Sequence, residues 1–166
     1  MKRVALRIAV LLLLTGGLAY AWLAYSPRQA PEVEFTTLAG STLRMSDLRG
    51  HPVLVTFWAT SCVSCWKEMP DLVSLHQDYE GRGFRLIAVA MEYDPPERVA
   101  ELATAKLLPY IVVHDERGRI AEGFDRVELI PASFLIAPDG RIVQRHTGPI
   151  PAGELRVTIE RLLEES

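Results

Sequence analysis

The only two cysteines of the chain, Cys62 and Cys65, are two residues apart and lie where a predicted strand meets a predicted helix. The apolar run of residues 52–58 precedes them, and a helical pattern of apolar residues follows. The N-terminus of a helix presents unpaired backbone N–H groups and the positive end of the helix dipole, and both stabilise a thiolate over a thiol. Cysteines of a Cys-x-x-Cys motif in such a setting have lowered pKa values. The spacing therefore predicts a redox-active pair.

The composition argues against other uses of these cysteines. Two cysteines are too few for a disulfide scaffold, and a structural zinc site needs four ligands, so a lone Cys-x-x-Cys would require two further partners. The four histidines are scattered without ligand spacing. The formal net charge of -3, with both signs mixed along the chain, gives no reason to expect nucleic acid. We expect no metal, and no cofactor other than a Cys62–Cys65 disulfide.

The N-terminus carries the pattern of an export or membrane segment. Three basic residues lie among the first seven, and residues 8–25 contain no charge. The uncharged run has the length of a spanning helix, roughly 17–25 residues, and aromatic residues stand at its far end, as in an aromatic belt. We predict a single-pass anchor over residues 1–26, with the rest of the chain outside the cytoplasmic membrane. The alternative is a signal peptide cleaved near Ala19-Tyr20-Ala21, which would leave a soluble periplasmic protein.

The remaining chain predicts one α/β domain over residues 35–166, joined to the anchor by a linker over residues 27–34. Short alternating runs around Ala39-Gly40-Ser41 predict an N-terminal β-hairpin, and the nearly continuous apolar run at 53–58 predicts a buried central strand. The other predicted elements are a turn at 45–50, helices at 62–79, 95–107 and 152–163, strands at 84–91, 111–113, 133–136 and 141–143, and a helical turn at 118–124. This order predicts a mixed central sheet with helices on both faces.

Two motifs together resemble the membrane-anchored thioredoxin-like proteins of the TlpA/ResA/CcmG group. They are Phe57-Trp58-Ala59-Thr60-Ser61-Cys62-x-x-Cys65, with Glu68 and Pro70 following, and Ile130-Pro131-Ala132-Ser133-Phe134-Leu135-Ile136 ahead of Asp139-Gly140. The resemblance covers the chain from about residue 35 to the C-terminus. It implies a thioredoxin fold with an added N-terminal hairpin and thiol–disulfide oxidoreductase activity outside the cytoplasmic membrane. Members of the group are usually reductants in cytochrome c maturation or copper-site assembly, kept reduced by a transmembrane thiol carrier.

The sequence departs from the pattern of this group beside the first cysteine. Ser61 stands where a tryptophan is common, which predicts a more polar rim next to Cys62. The dipeptide between the cysteines is Val63-Ser64, and this dipeptide tunes the redox potential in the superfamily. The sequence therefore leaves the potential and the net direction of electron flow open.

The cysteines and the following helix supply three predicted catalytic residues. Cys62 is the predicted nucleophile, which attacks a partner disulfide to form a mixed disulfide, and Cys65, one helical turn further, is predicted to resolve it. Glu68 lies three residues beyond Cys65, so on a helix its side chain returns to the same face. In the group an acid here lies near the sulfurs and relays protons. Thioredoxin itself has a buried acid on the preceding strand, where this chain has Thr56.

Three further residues are predicted to contact the substrate. Pro131 corresponds to a proline whose peptide bond is cis in the group; it would lie beside the sulfurs without donating a hydrogen bond to the sheet. The backbone at Ile130 would then be free to pair with an extended segment of a partner. Trp66 follows Cys65 directly and is predicted to be exposed. The predicted partners are a protein with a cysteine pair or disulfide and a transmembrane thiol donor.

Two other functions remain open at this point. A peroxiredoxin-like peroxidase shares the N-terminal hairpin and the order of elements, although such sites usually place Pro and Thr before a single reactive cysteine. A copper chaperone of the Sco type holds copper with two cysteines and a distant histidine, for which His146 is available, although its cysteines have a Cys-x-x-x-Cys spacing.

Overall fold

The computed structural model describes residues 28–165, together with Leu13 and residues 15–17. The strands are β1 (Glu34–Thr36), β2 (Thr42–Arg44), β3 (Val53–Trp58), β4 (Arg85–Ala90), β5 (Ile111–His114), β6 (Ala132–Ile136) and β7 (Ile142–Thr147). The helices are α1 (Val63–Tyr79), α2 (Pro96–Ala105), α3 (Arg119–Gly123) and α4 (Ala152–Glu164). A short 3₁₀ helix, Met45–Leu48, occupies the segment predicted as a turn.

Five of the strands form one mixed sheet in the order β5-β4-β3-β6-β7. β3 lies at its centre, parallel to β4 and antiparallel to β6. All six residues of β3 are buried. Both faces of the sheet are covered, and this explains the nearly continuous apolar run in the sequence. The predicted mixed sheet with a central strand at 53–58 is confirmed.

Each face of the sheet carries its own apolar core. On one face, α1 and α4 pack together with Val99 of α2; on the other lie the hairpin, the 3₁₀ helix and α3. The side chains of a strand alternate between the faces. Leu54 and Trp58 therefore belong to the first core, and Val55 and Phe57 to the second. The last residue of β3 thus faces the helix that begins with the Cys-x-x-Cys motif.

The predicted N-terminal hairpin is formed by β1 and β2, and it docks against β5. Phe35 of β1 is fully buried, and Thr37 forms an antiparallel bridge with Val113. The chain before the hairpin is also ordered on the domain, because Gln29 forms an antiparallel bridge with Arg141 and the Ala30 N–H donates to a carbonyl in the turn before β7. The folded domain therefore includes residues 28–33, which the sequence assigned to a linker.

The largest difference from the predicted elements concerns β7. It extends to Thr147, four residues beyond the predicted end, because β7 is an edge strand and its Gln144, Arg145 and His146 belong to a polar, partly exposed surface. A polar strand of this kind lacks the apolar signal on which the sequence prediction depends. No helix within the described residues is long and apolar enough to cross a membrane. The predicted anchor at 8–25 falls largely outside the described residues.

Candidate redox site at the N-terminus of helix α1

Cys62 and Cys65 form a disulfide at the start of α1, with their Cα atoms 5.3 Å apart. Cys62 is the N-cap of the helix, and its sulfur accepts a hydrogen bond from the Cys65 N–H over 3.2 Å. The Ser64 hydroxyl lies 3.4 Å from the same sulfur. Cys62 is partly exposed, whereas Cys65 is only 1% exposed. A partner can therefore reach the Cys62 sulfur, and the helix N-terminus can stabilise the negative charge on it.

Glu68 lies on the same side of α1 and is buried in the core beside Cys65. Its Oε2 accepts a hydrogen bond from the Ile150 N–H over 3.0 Å. In the part of the chain that the structure describes, its other oxygen, Oε1, is buried without a hydrogen-bond partner. Burial raises the pKa of Glu68 to about 7, an increase that the Ile150 bond partly offsets and the charge of Asp71 adds to. Glu68 can therefore gain or lose a proton near neutral pH.

A small cavity connects the acid to the buried sulfur. Glu68, Cys65, Trp58 and Tyr110 all line it, and its volume of about 10 Å³ is on the scale of a single water molecule. Burial, and in second place the charge of Glu68, raises the pKa of Tyr110, which therefore stays protonated. This geometry suits a proton transfer between Glu68 and the Cys65 sulfur.

The position of the acid in thioredoxin is taken here by a neutral hydroxyl pair. Thr56 of β3 lines the same cavity, is 1% exposed and accepts a hydrogen bond from the Ser133 hydroxyl over 3.0 Å. The hydroxyl of Thr56 satisfies its neighbour but does not ionise near neutral pH. Glu68 is therefore the acid that faces this cavity.

The Ile130–Pro131 peptide bond is cis, as the resemblance implies. Pro131 is buried, and its carbonyl accepts a hydrogen bond from the Gly148 N–H over 2.8 Å. Ile130 is partly buried and packs against both cores, so it lies in the same apolar cluster as the cysteines. Among the described residues, none forms a hydrogen bond with the Ile130 backbone. That backbone can therefore pair with an extended segment of a partner.

Trp66 is 43% exposed on the first turn of α1, as predicted. The Lys106 ammonium lies 5.5 Å from the centre of its ring. A cation over an indole face at this distance is attracted by the ring quadrupole. The contact with Lys106 therefore restrains the ring, which remains partly exposed.

We expect Trp66→Ala to lower kcat/KM for a protein disulfide by about tenfold, the effect of losing about 1–1.5 kcal/mol of aromatic contact. The rate with oxidised glutathione, which is too small to reach the ring, should change less than twofold. Stopped-flow assays with both substrates provide the measurement. Equal losses with the two substrates would assign Trp66 a structural role in place of a substrate contact.

Sequence reasoning missed the residues that reach this site from distant parts of the chain. Ile150 follows β7 and binds Glu68, Tyr110 precedes β5 and lines the cavity, and Asp94 follows β4 and binds the turn before Cys62. None of them belongs to a motif. The one available signal was the position of Asp94 in the loop that follows the buried strand β4, because polar residues in the loops at that end of neighbouring parallel strands meet at one edge of the sheet.

The structure does not bring His146 together with the two cysteines in a metal-ligand group. Within the described ranges, no group of three or more His, Cys, Asp and Glu side chains has the arrangement needed to hold a metal ion. His146 belongs to β7, opposite Ser133 of β6. The copper-chaperone alternative therefore lacks a described ligand set.

A mixed sheet, a Cys-x-x-Cys pair at the start of the helix after its central strand, and a cis-proline before β6 define the thioredoxin-fold thiol–disulfide oxidoreductases as a class. The sequence profile of the AhpC/TSA family matches residues 27–145. The chain belongs to this family.

Relatives and solved structures agree with the fold and the chemistry. The chain is 30% identical over 172 residues to the thiol-disulfide oxidoreductase ResA of Geobacillus kaustophilus, covering 98% of this chain and 95% of that protein. The ResA of Bacillus cereus is 27% identical over 97% of each chain. A structure assigned as a thioredoxin of Neisseria meningitidis has a TM-score of 0.77 and 30% identity, covering 85% of this chain and 93% of its own.

The name of a second solved structure refers to thiol–disulfide exchange. It is assigned as the thiol:disulfide interchange protein DsbE of Chlorobium tepidum, with a TM-score of 0.74 and 26% identity, covering 82% of this chain and 96% of its own. The resemblance to ResA-type proteins and the thioredoxin-like fold are confirmed. The protein is a thiol–disulfide oxidoreductase.

Proposed function

We propose that the protein is a membrane-anchored, extracytoplasmic reductase of cysteine pairs in partner proteins, of the type that serves cytochrome c maturation or copper-site assembly. The observation that carries the chemistry is the partly exposed Cys62, whose sulfur caps the start of α1, together with the buried pair of Cys65 and Glu68 behind it. Cys62 is therefore accessible to a partner protein, whereas Cys65 is accessible only from the interior of the domain.

The exchange begins when the Cys62 thiolate attacks one sulfur of a partner disulfide. A Cys62–partner bond forms, the partner's own disulfide breaks, and its second sulfur leaves as a thiolate that takes a proton from solvent. The Glu68 carboxylate accepts the proton of the Cys65 thiol through the shared cavity. The Cys65 thiolate then attacks the Cys62 sulfur, which forms the Cys62–Cys65 disulfide and releases the partner's first sulfur as a thiolate that takes a proton from solvent. The partner gains two electrons, and this protein loses two.

Regeneration requires a dithiol donor, because the Cys62–Cys65 disulfide must be reduced before a second turnover. We place that donor in the membrane and the domain on its outer side. The basic residues at the N-terminus and the uncharged run at 8–25 support this placement. The Bacillus and Geobacillus relatives match over nearly the whole chain, so the similarity includes this N-terminal segment.

The standard potential of the Cys62–Cys65 couple tests the direction of electron flow. We expect the full chain, equilibrated in detergent with glutathione buffers, to give a value closer to the about −270 mV of thioredoxin than to the about −120 mV of the oxidant DsbA. The fraction reduced is read by alkylation and mass spectrometry. A value near that of DsbA would reverse the proposed direction of electron flow. The absence of a reversible Cys62–Cys65 disulfide in the titration would contradict the oxidoreductase activity itself. Cys62-dependent consumption of hydrogen peroxide would favour the peroxidase alternative.

The proposed location is tested by fractionation of cells that express the full chain. We expect the protein to stay with membranes after carbonate extraction, and added protease to remove the domain from spheroplasts without lysis. A matched chain that starts at residue 28 should remain inside the cell. Release of the full chain as a shorter soluble form would support the cleaved signal peptide.

A further inference from the structure

A buried carboxylate, that of Asp94, holds the turn that precedes Cys62. Asp94 lies just after β4 and is 5% exposed. Its Oδ2 accepts a hydrogen bond from the Thr60 N–H over 2.6 Å, and its Oδ1 accepts one from the Thr60 hydroxyl over 2.8 Å. The Asp94 N–H donates to the Met91 carbonyl over 3.0 Å, which ties the loop back to the end of β4. The two loops at the end of the sheet are therefore joined through one side chain.

Thr60 lies inside the turn that leads the chain from β3 into α1. The Cys62 N–H closes this turn on the Ala59 carbonyl over 3.0 Å. Hydrogen bonds to a charged acceptor are shorter and roughly twice as strong as those between neutral groups. Asp94 therefore fixes the conformation of Thr60, and with it the position of Cys62 at the end of the turn.

The charge of Asp94 also lies close to that sulfur. Asp94 binds Thr60, which is two residues before Cys62 in the chain, and since consecutive Cα atoms are about 3.8 Å apart the carboxylate lies on the order of 10 Å from the Cys62 sulfur. No ion pair within the described residues neutralises Asp94. A negative charge at this distance disfavours a second one, and at an effective dielectric constant of about 20 the penalty amounts to about a tenfold change in an ionisation equilibrium.

We propose that Asp94 is a positioning residue for the redox pair: through Thr60 it fixes the turn at Cys62, and through its charge it destabilises the Cys62 thiolate and makes the pair more reducing. A less stable thiolate means a less stable reduced form, which gives up its electrons more readily. Asp94 thus acts against the helix N-terminus, which stabilises the same thiolate.

This inference rests on the thiol–disulfide exchange activity and not on the partner, location or direction proposed above. It concerns a difference between variants, so an oxidising absolute potential would refute the proposed direction and leave the inference standing. Conversely, a reducing potential that does not respond to Asp94 would refute the inference alone.

Three substitutions separate charge from geometry in the full chain. Asp94→Asn removes the charge and can keep both contacts, because its carbonyl can accept from the Thr60 N–H while its amide donates to the Thr60 hydroxyl. Thr60→Val removes one hydrogen bond and keeps the charge. Asp115→Asn is the matched control, since Asp115 is 4% exposed, accepts hydrogen bonds from the Ile120 and Ala121 N–H groups, and follows β5, two strands away from β3.

Two readouts follow the thiolate directly: the pH dependence of Cys62 alkylation by iodoacetamide, and the equilibrium with glutathione. For Asp94→Asn we expect about ten times more thiolate at a given acidic pH and a tenfold shift of the equilibrium towards the reduced form, which corresponds to about 30 mV. Thr60→Val should shift this equilibrium less than twofold while lowering the urea midpoint. Asp115→Asn should lower the midpoint and leave both thiol readouts unchanged.

Other patterns overturn the proposal. If the pH dependence of Cys62 alkylation and the redox potential are both unchanged in Asp94→Asn, Asp94 has only a structural role. Equal shifts in Thr60→Val and Asp94→Asn would mean that turn geometry, and not charge, sets the thiolate. A shift of the same size in Asp115→Asn would show that any buried carboxylate at this edge of the sheet has the effect.

Discussion

Cys65→Ser is expected to stop turnover and to accumulate a mixed disulfide between Cys62 and the partner. The partly exposed Cys62 can still attack, but no second thiol is left to resolve the adduct, because the chain has no other cysteine. Intact-mass spectrometry after mixing with a protein disulfide should show one covalent adduct per chain. The adduct should disappear on addition of dithiothreitol.

Cys62→Ser provides the matched control for this experiment. Its remaining thiol, Cys65, is almost fully buried and cannot meet a folded partner, so we expect no adduct above background. Adducts at similar rates on both variants would mean that either sulfur can be attacked, and would contradict the assignment of Cys62 as the nucleophile. An adduct on Cys62→Ser alone would exchange the roles of the two cysteines.

The pH dependence of stability should carry a large contribution from Glu68. Its pKa is about 7 in the folded protein against 4.5 for a solvent-exposed glutamate, so the folded state binds the proton more tightly than the unfolded state does. The resulting stabilisation is complete below about pH 4.5 and is lost as the pH rises through 7. A difference of this size corresponds to about 3 kcal/mol in the free energy of unfolding.

Glu68→Gln isolates this contribution, because glutamine stays neutral and its carbonyl can still accept the Ile150 hydrogen bond. Urea unfolding of the oxidised protein and of the oxidised variant between pH 4 and pH 8 gives the comparison. We expect wild type to lose about 3 kcal/mol relative to Glu68→Gln over this range. Parallel pH profiles would contradict the raised pKa, and a wild type that gains stability with pH relative to the variant would reverse its sign.

The elements next to the cysteines could be predicted from sequence because each carries a local signal. The apolar run of β3 and the helical spacing after Cys62 are patterns within a single segment, and the structure has β3 at 53–58 as predicted and α1 at Val63–Tyr79, one residue inside the predicted 62–79. The cis bond before Pro131 came from the resemblance alone. Local pattern and motif together were sufficient for the fold and for the redox pair.

The surroundings of the pair could not be predicted, because they depend on contacts between distant parts of the chain. Asp94 binds Thr60 across 34 residues, and Ile150 binds Glu68 across 82. Which backbone N–H or carboxylate reaches a site depends on how the sheet is ordered and where its loops meet. A single sequence contains no periodic trace of such pairings, whereas it does contain the period of a strand or a helix.

The hydrogen bond from Ile150 to Glu68 has a consequence for the order in which the site is assembled. Synthesis proceeds from the N-terminus, so the chain contains both cysteines and Glu68 long before it contains the residue 82 positions later that binds the acid. A chain interrupted before residue 150 would carry the complete Cys-x-x-Cys motif, but its acid would have no backbone donor. The site that we propose for proton transfer is therefore completed among the last parts of the domain, although its motif is made among the first.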